Sequence, residues 1–168
     1  MKNLRIIIIG FGLLVVFVIG GIKFLNRHTV ITNEQVMARF EKAGGVDKIN
    51  KEAEVIFRVF GTNDLFILQD YGIPHLNDYH EIKNHTEITN FPAIFALGDM
   101  VMVQGGASNA APEIRVRYGK HNQAKTIHIF PPNFDVDKAT NSSNISAFLN
   151  DSSYLRVTNN IFAWKGRY

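Results

Sequence analysis

The stretch EIRVRY, Glu113 to Tyr118, followed after a short polar interval by TIHIF, Thr126 to Phe130, decides the fold class of this chain. EIRVRY alternates without a break, with Ile114, Val116 and Tyr118 on one side and Arg115 and Arg117 on the other. Period two marks a half-buried strand, because successive side chains leave opposite faces. Ile127 and Ile129 extend the apolar face if the two segments pair as a hairpin. The register must then put Arg115 and Arg117 on the same face as Thr126 and His128, since a slip of one residue inverts a whole strand.

Strand signals continue on both sides of this hairpin. Upstream, MVMVQ (Met100 to Gln104) is apolar and β-compatible, and the GGASN that follows it turns the chain. Downstream, YLRVTNNIFAWKG predicts a second hairpin with Asn159 and Asn160 as a two-residue turn, asparagine being tolerant of positive φ. That turn aligns Val157 with Phe162 and Leu155 with Trp164, all four facing the core. In the polar segment between the hairpins, Ile145, Ala147, Phe148 and Leu149 predict one packed helical turn.

Helical signals precede the strands. Thr32 and Gln35 stand three apart as in a capping box, and Val36, Met37, Phe40 and Ala43 form one face before Gly44 and Gly45 end it. Asp47 is placed to cap a second helix, whose Ile49, Ala53, Ile56, Phe57 and Phe60 form an apolar stripe. Lys48 with Glu52, and Glu54 with Arg58, are spaced as ion pairs on its other side. LFIL, Leu65 to Leu68, predicts a short buried strand, after which Asp70, Gly72, Pro74, Asn77 and Asp78 break every periodicity. NFPAIFALG predicts a single helical turn capped by Asn90, with Pro92 at its start and Gly98 past its end. The resulting expectation is α+β: an N-terminal transmembrane helix, then two helices packed on an antiparallel sheet built from hairpins.

The transmembrane helix is read from RIIIIGFGLLVVFVIGGIK, Arg5 to Lys23, which carries no charge from Ile6 to Ile22. As a helix that run is about 26 Å long, near the lower limit for crossing a hydrocarbon core. Ile6, Leu13, Val16 and Ile22 are typical of the side chains that would meet lipid. A secretory signal starts in the same way, but a cleavage site prefers small residues in an A-x-A pattern and the stretch contains no alanine. The reading is residues 1–28 as a retained anchor with a short linker and residues 29–168 as one globular domain, single-pass in the cell membrane. The domain is placed on the non-cytoplasmic side, although Lys and Arg are balanced about the span. A secreted domain with a cleaved signal is the alternative.

Charge and cysteine content remove several function classes. Of 18 Lys and Arg residues, Lys2, Arg5 and Lys23 belong to the anchor and its edge, which leaves 15 cations against 15 carboxylates from Phe24 onward. A neutral domain lacks the cationic footprint of a nucleic-acid binder. Cysteine is absent, so disulfides, a thiol nucleophile and cysteine-ligated metal are excluded.

The densest chemistry lies in IPHLNDYHEIKNH, where His75, His80 and His85 recur every five residues with Asp78 and Glu81 between them. Histidines five apart on a helix diverge by about 140° and cannot face one ion together, which argues against a metal centre. His80, Glu81 and His85 therefore stand as candidate ligand-binding residues. Arg115 with His128 is a second candidate, an anion site on the polar face of the first hairpin. No cofactor and no catalytic residue is expected. The leading function class is a membrane-tethered, non-catalytic α+β module, held to the bilayer through residues 6–22, that binds a protein or small ligand or organises an envelope complex. A small membrane-anchored hydrolase using polar residues of the 70–90 segment is its rival.

Overall fold

The computed structural model describes residues 31–60, 65–74, 91–106, 110–119, 124–139, 145, 149 and 151–166. Among them, three helices pack with a seven-stranded antiparallel sheet, an α+β architecture. The expected membrane helix over residues 6–22 lies outside the described residues, and no helix within them is long and apolar enough to cross a membrane.

Helix α1 (Asn33–Lys42) starts at the expected capping box. The Thr32 side chain accepts from Gln35 N at 3.2 Å, and Thr32 N donates to the Gln35 side chain at 3.0 Å. Val36, Phe40 and Ala43 are buried, but Met37 is exposed, so the buried face is narrower than its spacing suggested. Helix α2 (Val46–Phe60) buries Ile49, Ala53, Ile56 and Phe60, with Phe57 half-buried at the margin; Asp47 lies in the first turn rather than at the cap. Glu52 leaves its expected partner Lys48 and reaches across to helix α3 (Pro92–Leu97). There its two carboxylate oxygens accept from Ala93 N at 3.1 Å and Ile94 N at 2.9 Å. Phe91 at the α3 cap offers no side-chain acceptor, and Asn90 lies outside the described residues, so α2 satisfies the helix end from a distance.

The strands are β1 (Leu65–Asp70), β2 (Ile73–Pro74), β3 (Met100–Gln104), β4 (Glu113–Tyr118), β5 (Lys125–Ile129), β6 (Tyr154–Arg156) and β7 (Ile161–Trp164), in the order β2-β1-β3-β4-β5-β7-β6. The β4–β5 register is the expected one, with Arg115 opposite His128 and Arg117 opposite Thr126. The inner face carries Val101, Val103, Ile114, Val116, Ile127, Ile129, Ile161 and Ala163, all buried in one core with the three helices. Gly98 permits the close approach that seats α3, because a Cβ there would stand 2.3 Å from Arg117 O.

Two strand expectations are corrected. In β1 only Leu68 and Gln69 are buried, while Leu65 and Ile67 are exposed. The register shifts between Ile67 and Gln69, where a bulge turns Gln69 inward to bond Phe95 O and Gly98 O at the end of α3. The last hairpin pairs Leu155 with Ala163 and Tyr154 with Trp164, one residue away from the expected register. Asn160 does not sit at a two-residue turn tip. It is buried, and its amide donates to Asn50 Oδ1 and Phe130 O, both at 3.0 Å, which lengthens the loop and moves Phe162 and Trp164 to the outer face.

The outer face has two unlike halves. Over β5, β7 and β6 a second core forms from Phe130, Phe162, Val136, Ile145 and Ala111, with Leu149 and Tyr154 packed against it. The expected helical turn contributes there, Leu149 N bonding Ile145 O at 3.4 Å; Ala147 and Phe148 lie outside the described residues. Over β1 to β4 the outer face presents Leu65, Ile67, Met100, Met102, Arg115 and Arg117, each at least partly exposed.

Candidate functional site

Strand β4 carries Glu113, Arg115 and Arg117 along its outer face, spaced by the strand's period of two. The first two belong to a polar cluster. Glu113, 1% exposed, receives His128 Nδ1 at 2.8 Å on one oxygen and the Arg115 guanidinium on the other. Burial pushes the Glu113 carboxyl up, but the bonds and charges of His128 and Arg115 outweigh burial and hold it below the ordinary value of 4.5. An ionised carboxylate only accepts, so Nδ1 carries the proton in this contact. The Tyr154 ring stands edge-on to the imidazole, with centroids 5.9 Å apart. Arg115 Nε is buried and has no hydrogen-bond partner among the described residues.

The structure thus brings together Arg115 and His128, and adds Glu113, which sequence reasoning missed. A buried carboxylate stands between the two basic groups of the expected anion site. His128 is 6% exposed, whereas the Arg115 side chain keeps 40% of its surface open to solvent. His80, Glu81 and His85, like His75, lie outside the described residues. Among the described residues no group of three His, Asp or Glu side chains is placed to hold a metal ion.

Arg117 leads elsewhere. At its end of β4 an open cavity of about 320 Å³ is lined by Asp70, Tyr71, Asp99, Met100, Arg117, Gly119 and Ala124. Three segments build its rim. The β1–β2 turn has positive φ at both Tyr71 and Gly72, 48° and 79°, as a two-residue hairpin turn requires. Gly72 N donates to Asp99 O at 2.8 Å, and Asp99 N donates to Arg117 O at 2.9 Å. These backbone bonds hold two carboxylates and one guanidinium around a mostly apolar hollow. Sequence reasoning missed this site, since its residues come from three separated segments. The available signal was Arg117 itself, a cation on a strand face with no opposite charge across from it at Thr126.

Comparison with protein-family models, with curated proteins and with solved structures finds no match for this chain.

Proposed function

We propose that the chain is a membrane-tethered, non-catalytic α+β module whose domain binds a small ligand on the open half of its sheet. The cavity between Asp70, Asp99 and Arg117 carries this reading: it is concave, largely apolar and edged by a few fixed charges, the general character of a small-molecule site. The uncharged run from Ile6 to Ile22 supports the tether, as a single-pass anchor with the domain on the non-cytoplasmic side. Support for a non-catalytic role comes from the separation of parts. The imidazole–carboxylate pair of His128 and Glu113 is buried and engaged with Arg115, apart from the residues described in the cavity's lining.

Two measurements on the full chain test the reading. After alkaline carbonate washing it should stay with the membrane fraction. Native mass spectrometry of the detergent-extracted protein should then show a bound small-molecule mass that is lost in Ala124→Trp, which fills the cavity. Release into the wash, or a bare protein mass in both forms, would count against it.

A further inference from the structure

The cavity's charges are unusual in that they leave one another alone. Asp70, Asp99 and Arg117 share one hollow, yet Arg117 forms no ion pair with either carboxylate or with any other described side chain. Asp70 Oδ1 is buried without a hydrogen-bond partner among the described residues. The backbone accounts for the separation: Gly72 N to Asp99 O and Asp99 N to Arg117 O tie the three segments together, so each charge is held by its own strand end or turn. A buried carboxylate oxygen with no donor is costly, and a ligand that supplies the donor recovers that cost on binding.

The charge pattern selects the ligand class. A simple cation would suit Asp70 and Asp99 but place its charge beside the Arg117 guanidinium. A simple anion would meet two carboxylates, and a neutral apolar molecule would leave Asp70 Oδ1 unsatisfied. A molecule carrying an ammonium and an acid group a few bonds apart meets all three requirements, with ammonium hydrogens for the carboxylates and an acid for the planar fork of arginine. The remaining walls, Tyr71, Met100 and Ala124, suit a short apolar substituent. The volume of about 320 Å³ lies at the small end of ligand pockets and suits a molecule of amino-acid size.

We infer that this cavity binds a compact zwitterion, its primary ammonium against Asp70 and Asp99 and its acid group on Arg117. This rests on the binding-module reading above and names the ligand chemistry of the same site. Two sources offer that chemistry: free amino acids, with ammonium and carboxylate, and phospholipid headgroups, with ammonium and phosphate.

Isothermal titration of the full chain in a non-ionic detergent tests the inference with four probes. L-leucine and O-phosphoethanolamine carry both charges, leucine methyl ester carries only the ammonium, and 4-methylpentanoate carries only the carboxylate. At least one zwitterion should bind, and both single-charge probes should bind about tenfold more weakly or worse. Preference for leucine assigns the site to free amino acids, and preference for phosphoethanolamine assigns it to a headgroup. Asp70→Asn and Arg117→Gln should each weaken the zwitterion by about tenfold. Both should leave ligand-free unfolding unchanged, because neither side chain has a partner to lose among the described residues. Methyl ester binding as tightly as leucine, or zwitterion binding that survives Arg117→Gln, would overturn the inference. So would the failure of both zwitterions to bind, a result that needs no variant to fold. A bound mass in native spectrometry would in each case keep the binding module standing while the zwitterion fell.

Discussion

Glu113 is 1% exposed and flanked by His128 and Arg115, so its stabilising effect depends on pH in a defined direction. Its carboxyl titrates below the ordinary value of 4.5 in the folded protein. The folded state therefore holds this proton less readily than the unfolded chain. The contribution is fully present above about pH 4.5 and is lost as pH falls through the lower folded value. Glu113→Gln should cost about 2 kcal/mol near neutral pH, the usual worth of hydrogen bonds to a charged group. Its urea midpoint should also fall less steeply than the native protein's as the pH drops below 4.5. Equal acid slopes in the two proteins would show that other carboxylates control acid unfolding. The pairing of Arg115 with His128 was legible in the sequence, because strict alternation fixes which residues meet across a hairpin. Glu113 was not. It opens its strand, where alternation has only begun, and its role depends on a diagonal contact with His128 that pairing rules do not specify.

Helix α3 shows how one element depends on another. It has only six residues, and its first backbone N–H groups are satisfied by Glu52 of α2. Glu52→Ala should destabilise the protein by about 2 kcal/mol, and Glu52→Gln, which keeps one acceptor oxygen, by about half as much. Chemical denaturation of both variants measures the difference, and a silent alanine variant would mean water replaces the cap. The i,i+4 spacing suggested a surface pair with Lys48, a local rule overridden by a contact 41 residues away. The same override explains the last hairpin. Its strands were legible in YLRVTNNIFAWKG, but the register was set by Asn160 reaching Asn50, 110 residues away in the chain. Elements with a strong period of their own, α2 and the β4–β5 pair, were read correctly. Elements placed by a partner, such as the β1 bulge and the cavity rim, carry no comparable local signal.

For the whole molecule, the three helices and seven strands among the described residues share their cores with one another. Removing residues 1–28 should leave a protein that unfolds in one cooperative transition with mixed helix and strand signal by circular dichroism. A truncated chain that stayed unfolded would assign the missing part of the core to the removed segment. The sheet order carries a further consequence for a protein proposed to sit crowded on a membrane. Among the described residues its two border strands are also its shortest, β2 with two residues and β6 with three. A neighbouring copy seeking to extend the sheet meets Pro74, which has no N–H to donate, on the β2 side and a strand of three residues on the β6 side. Pro74 thereby guards the β2 margin against growth into fibres, even where the proposed tether would raise the local concentration.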